Sequence, residues 1–85
     1  MAAEEALRDL VAFVARALVD EPAAVRVQTE PAAGEGLRIE LRVAAPDMGK
    51  VIGRQGRIAR ALRSVVRAAA VRHGVRVILD ITSTE

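Results

Sequence analysis

The chain reads as an α+β fold in which a three-stranded sheet carries helices packed on one face. Two stretches repeat apolar residues at the helical period, and three alternate them at the period of a strand. With 85 residues the chain can build only a simple core, and a sheet apolar on one face must bury that face against helices. The expected order is α-β-β-α-α-β.

Residues 4–20 form the first predicted helix, because Leu7, Leu10, Val11, Val14 and Leu18 recur at three- and four-residue steps as one stripe. Phe13 is expected to pack at the edge of that stripe. Pro22 ends the helix, since the residue before a proline resists helical geometry. Val25, Val27 and Thr29 alternate over residues 24–30 as a half-buried strand. Pro31 to Gly36 is a turn by composition, and Leu37, Ile39, Leu41 and Val43 then alternate with charged residues as a second strand. These two strands should pair as an antiparallel hairpin. Pro46 and Asp47 open a short helix through about Ile52, with Asp47 at its positive end. A longer helix runs from about Arg57 to His73, with Ile58, Leu62, Val65, Val66 and Ala69 inward and Arg60, Arg63 and Arg67 roughly opposite. Gly74 suits a helix C-terminus, and Val75, Val77, Leu79 and Ile81 alternate as the last strand, with Ile78 on its other face.

Composition excludes several function classes. Phe13 is the only aromatic residue, so a sheet that stacks bases on aromatic rings is not expected. There is no cysteine, and His73 alone cannot make a zinc site, so no metal and no cofactor are expected. No apolar run reaches the roughly 18 residues of a membrane span. The first residues are acidic where a secretion signal is basic, and a cytoplasmic protein is the expectation. Serine and threonine stand at no recognisable spacing from His73, which gives catalysis no support and predicts a protein that is not an enzyme.

Charge is lopsided although the net is only +2. Residues 1–47 carry five Arg against nine acids, a net of −4, and residues 48–85 carry eight Lys or Arg against two acids, a net of +6. No acidic residue lies between Asp47 and Asp80. A one-signed segment of this kind is a footprint for a polyanion, whereas a merely solvated face mixes both signs.

That segment holds Val51-Ile52-Gly53-Arg54-Gln55-Gly56-Arg57-Ile58, two glycines three apart between apolar helical segments. The glycines allow a sharp backbone turn with no Cβ over its outer surface. Arg54 and Gln55 between them are polar and face water. A helix N-terminus at Gly56 or Arg57 favours phosphate. The plain alternative is a tight corner between helices with no ligand.

The stretch from Asp47 to Arg60 resembles the signature of KH domains, and the element order resembles their type II, or prokaryotic, arrangement. The likeness covers roughly residues 7–82, with a motif core of about 37–82 inside one domain spanning 1–85. Val19-Asp20-Glu21-Pro22 and the run from Val65 to Ala70 extend it to the small bacterial KhpA family. The resemblance implies a single-stranded RNA-binding protein, an RNA chaperone or post-transcriptional regulator linked in some bacteria to cell elongation and division. It implies a homodimer, and a heterodimer with a larger KH-containing protein of the KhpB type.

The implied RNA-binding residues are Lys50, Ile52, Gly53, Arg54, Gln55, Gly56, Arg57 and Arg60. Arg54 and Gln55 would bond phosphate and sugar oxygens, with Lys50, Arg57 and Arg60 flanking the groove. Val51, Ile52 and Ile58 either line an apolar groove floor or belong to the core. Arg63 and Arg67 either reach RNA or form a solvated face. Arg38 and Arg42 either border the groove or pair with acids such as Glu40. The Ala68-Ala69-Ala70 run would allow close approach of a second copy. The rival reading is an interaction module that docks a partner without binding RNA.

Overall fold

Helix α1 (Ala2–Leu18) starts with Glu4 and Glu5 and ends with Arg16, charges that suit the two ends of the helix dipole. The computed structural model describes residues 2–84. Leu7, Val11 and Ala15 are buried along one line of α1, with Val14 and Leu18 packed beside them. Phe13 does not join them and is 73% exposed. It lies two residues from both Val11 and Ala15, about 200° around the helix from each. The stripe is narrower than the sequence pattern suggests.

A short 3₁₀ turn at Pro22–Ala24 leads into β1 (Arg26–Ala32), which pairs antiparallel with β2 (Gly36–Val43). The strand therefore runs past Pro31, which the sequence places in a turn; only Ala33–Glu35 turn the chain. The pairing geometry explains why proline is tolerated. Pro31 faces Leu37, whose N–H donates instead to the Arg76 carbonyl at 2.8 Å on the other side. Pro31 and Leu37 are thus a non-hydrogen-bonded pair on an edge strand, where no N–H is needed.

Strand β3 (Val77–Ser83) pairs parallel with β2, from Leu37 opposite Val77 to Val43 opposite Ser83. The sheet order is β1-β2-β3, so β2 is central. Ile39, Leu41, Val43 and Leu79 are buried on the helix side. The other side is open and carries alternating charges, with Arg38 bridging Glu30 at 3.7 Å and Asp80 at 2.5 Å, and Arg42 meeting Glu40 at 3.2 Å. Both strand arginines are thereby paired with acids.

A parallel pair needs a crossover, supplied by α2 (Met48–Ile52) and α3 (Arg57–Arg72). Helix α3 buries Ala59, Leu62, Val66 and Ala70 against the sheet and α1. Val65, expected inward, is 50% exposed, because it sits one residue (about 100°) round from Val66. Of the three consecutive alanines, Ala70 is buried and Ala69 half-buried, so only Ala68 is offered to solvent. Gly74 takes a φ of +71°, and the Val75 N–H then bonds the Ala70 carbonyl at 3.0 Å, closing the helix.

Asp47 ties the two halves together. It is 2% exposed, the one charged group in the core among the described residues. Its carboxylate caps nothing in α2; it accepts the N–H groups of Asp20 (3.2 Å) and Glu21 (3.0 Å), just past α1. Hydrogen bonds to a carboxylate contribute about 1.5–3 kcal/mol each. Asp47→Ala should therefore lower urea-unfolding stability by about 2–4 kcal/mol, with Asp47→Asn recovering part of the loss through its remaining acceptor. A loss below about 0.5 kcal/mol for the alanine variant would remove Asp47 from this role.

Candidate nucleic-acid interface

The corner between α2 and α3 is built by three positive-φ residues within four positions. Gly53 has φ +77° and ψ 171°, Gln55 has φ +56° and ψ 25°, and Gly56 has φ +74° and ψ 16°. The Gly53 N–H closes α2 on the Gly49 carbonyl at 2.9 Å, and the Gly56 N–H turns back to the Gly53 carbonyl at 3.1 Å. A Cβ at Gly53 would stand 2.6 Å from Ile58 Cγ1 and 2.9 Å from the Ile58 nitrogen. The backbone of α2's end therefore lies directly on the start of α3. At Gly56 nothing crowds a Cβ, and the positive φ alone calls for glycine.

Gln55 adopts the left-handed region without being glycine, at a cost of about 1–2 kcal/mol. Its neighbours hold it there. The Arg60 guanidinium donates to the Gln55 carbonyl at 3.0 Å, and Arg57 donates to the Gln55 side-chain oxygen at 3.4 Å. Arg57 and Arg60 thus brace the corner while keeping their charge beside it. Arg54 is exposed at the tip, with no ion pair or side-chain hydrogen bond among the described residues.

The remaining sequence-predicted residues divide. Lys50 does not stand free: its Nζ lies 3.1 Å from Asp20 and 3.8 Å from Asp47. Val51 is fully buried and belongs to the core, while Ile52 is half-buried and packs against that core. Ile58 is half-buried beneath Gly53.

Arg63 is not on a solvated face. Its Nε donates to the Leu79 carbonyl at 3.2 Å. In β3 the even-numbered residues bond β2, as the Arg76 carbonyl and the Thr84 N–H do, so Leu79 turns its polar groups toward the open edge. Arg63 spans the groove between α3 and that edge, and Arg67 stands one turn further along. No local pattern marks the Arg63 bond, because it joins residues sixteen apart and exists only once β3 lies beside α3. Nor did it mark Asp47 as the anchor behind α2.

This arrangement defines a KH domain of the type II order: a Gly-x-x-Gly corner on the crossover between the central strand and a parallel edge strand. The model of the KhpA/KhpB KH-domain family matches residues 8–81. The chain belongs to that family. It is 57% identical over 75 residues to RNA-binding protein KhpA of Halalkalibacterium halodurans, covering 88% of this chain and 97% of that one. Treponema pallidum KhpA, also described as RNA-binding, is 54% identical over 86% of this chain and 90% of its own. Among solved structures, Era in complex with MgGDPNP and nucleotides 1506–1542 of 16S ribosomal RNA superposes with a TM-score of 0.61 at 18% identity. That match covers 91% of this chain and 29% of Era, and it shows the shared fold. The family is not an enzyme family.

The two glycines carry different demands. Gly56→Ala should cost about 1–2 kcal/mol, the strain of a left-handed alanine. Gly53→Ala should cost about 2–5 kcal/mol, because overpacking against Ile58 adds to the strain of a φ +77°, ψ 171° backbone that essentially only glycine adopts. Equal urea midpoints for the two variants would contradict the close contact.

Proposed function

We propose that this protein binds single-stranded RNA at the Gly-x-x-Gly corner, as a cytoplasmic RNA chaperone or post-transcriptional regulator. The observation that carries the reading is Arg54: an unpaired cation at the tip of a bare backbone turn, in a segment without acids. The names of the relatives support the same chemistry. A phosphodiester lies against the corner at Gly56, where a Cβ would otherwise stand in open space, and Arg54 and Gln55 bond its oxygens. Arg57 and Arg60 add charge while holding the corner in shape. Lys50, paired with Asp20 and Asp47, acts from behind the corner by setting α2 and contributes little free charge. Ile52 gives bases an apolar edge. Contacts of this kind fix the strand without naming its sequence.

A homodimer would place two such corners on one RNA and raise affinity through effective concentration. The exposed row Ala61, Val65 and Ala68 on α3 suits it, being small and apolar with Val65 half in water. We also propose that the protein pairs with a larger KH-containing protein of the KhpB type and takes part in cell elongation and division.

Arg54→Asp/Gln55→Asp should abolish binding of a short unpaired RNA while leaving the circular dichroism spectrum unchanged. For the wild type, three cations near phosphate predict log K falling with log salt at a slope of about −2. Undiminished binding by the folded variant would take the RNA away from the corner, and no binding by either protein would favour partner docking without RNA. Val65→Glu should separately shift a dimer to monomer in analytical ultracentrifugation; an unchanged dimer would clear this face of α3.

A further inference from the structure

We infer that the open edge of β1 pairs antiparallel with the same edge of a second copy of this chain, with Arg26 of each copy opposite Glu30 of the other. The two three-stranded sheets then become continuous about a twofold axis at Gln28. This contact is independent of the RNA-binding reading and lies on a different surface from the α3 row. It is a weaker contact than that row would make, because the strand is short, and it forms at higher protein concentration.

The edge offers a short, closed set of backbone groups. Arg26, Gln28 and Glu30 bond β2, since Pro31 and Leu37 are a non-hydrogen-bonded pair and the pattern alternates from there. Val27, Thr29 and Pro31 therefore turn their polar groups outward. Pro31 has no N–H, and the Val25 N–H is already given to the Pro22 carbonyl at 3.1 Å. Val27 and Thr29 are the donors that remain. With Val27 set against Thr29 of the second copy, each of these N–H groups meets a carbonyl and each carbonyl an N–H. The ladder stops where the donors stop, so the pairing closes as a dimer of edges.

Side chains select this register. The even-numbered residues of β1 point to the open sheet face, and across the new seam they form non-hydrogen-bonded pairs, the closest kind. Arg26 then faces Glu30 at both ends, with Gln28 against Gln28 at the centre. A step to Thr29 against Thr29 leaves Arg26 opposite Ala32, and a step to Val27 against Val27 leaves Glu30 opposite Ala24. Both charges are available. Arg26 meets no acid among the described residues and bonds the Ala23 and Val25 carbonyls through one nitrogen, at 2.8 and 2.9 Å. Glu30 is held only by Arg38 at 3.7 Å, and Arg38 lies closer to Asp80. A groove of about 440 Å³ straddles the edge, lined by Arg8 and Thr29 on the helix side and by Gln28 and Glu30 on the open side. The Thr29 hydroxyl donates to the Glu4 carboxylate, so the helix side also brings one charge of each sign to the seam. A foreign strand of one sign would match one end of β1 and be repelled at the other. The strand that matches both ends is β1 itself. Because β1 and β3 are opposite edges of the sheet, this pairing leaves the flank of α3 beside β3 open.

Sedimentation velocity over a rising concentration series tests the contact, in chains carrying Val65→Glu so that the α3 row takes no part. These chains should dimerise reversibly at millimolar concentration. Adding Arg26→Glu or Glu30→Arg sets like charges opposite each other at both ends and should weaken the dimer about tenfold, with circular dichroism unchanged. An equimolar mixture of those two variants should recover the lost affinity, because each then meets its opposite. Amide exchange on the chain with its edge unaltered should slow at Val27 and Thr29 as the dimer forms, and stay slow at Gln28 throughout. A short unpaired RNA should bind all these chains equally, which separates this contact from the corner. A mixture no tighter than its components, or single variants that associate undiminished, overturns the pairing. Monomers throughout, with fast exchange at Val27 and Thr29, overturn it too and leave the edge to a strand of another protein.

Discussion

The approach of Gly53 to Ile58 governs the rest of the molecule's surface chemistry. Because no Cβ intervenes, the end of α2 rests on the first turn of α3, and the two residues between them are pushed outward. A bulkier residue at position 53 would separate the helices, lengthen the corner and move Arg54 away from Gly56. The same contact sets where α3 starts, and with it the angular position of every residue along the helix. Ala59, Leu62, Val66 and Ala70 fall on the core, while Arg60, Arg63 and Arg67 fall along the flank that faces β3.

Charge is sorted by what each cation already touches. Arg38 and Arg42 are occupied by Glu30, Asp80 and Glu40 on the open sheet face, and Lys50 by Asp20 and Asp47. The exposed pairs among these, those of Arg38 and Arg42 and that of Lys50 with Asp20, contribute little to stability, but they lower the positive potential where they occur. Arg57, Arg60 and Arg63 bond neutral oxygens, so they stiffen the corner and groove without losing charge. Arg54, Arg67 and Arg76 meet no acid among the described residues. Apart from Arg72, about 140° round the helix from Arg67, the cations of the basic half that meet no acid lie along one line from the corner down the side of α3.

The sequence was most legible where one local rule acts. Alternation placed β2, the glycine pair placed the corner, and three- and four-residue spacing placed both long helices. It was least legible where tertiary geometry chooses between equivalent local options. Phe13 and Val65 look like stripe residues until the neighbouring helix and sheet fix which hundred degrees are covered. Pro31 reads as a turn unless the partner strand is known to ask nothing of its nitrogen. Asp47 carries the signature of a helix start, and only its proximity to Asp20 and Glu21 turns it into a tie between distant segments. Lys50 counts as a free cation in one dimension and as a paired one in three. The Gly-x-x-Gly residues themselves were read together because they are contiguous, whereas the bond from Arg63 to Leu79 needed the fold.

The central claim is that a strand of RNA lies against the bare backbone of the corner. Backbone amide shifts followed by NMR during titration with a short unpaired RNA test it most directly. The account predicts that the amides of Gly53 to Arg57 move first and furthest, with smaller changes down the α3 flank and none across α1. Changes centred on the open sheet face or on Phe13, with Gly53 to Arg57 unmoved, would contradict it.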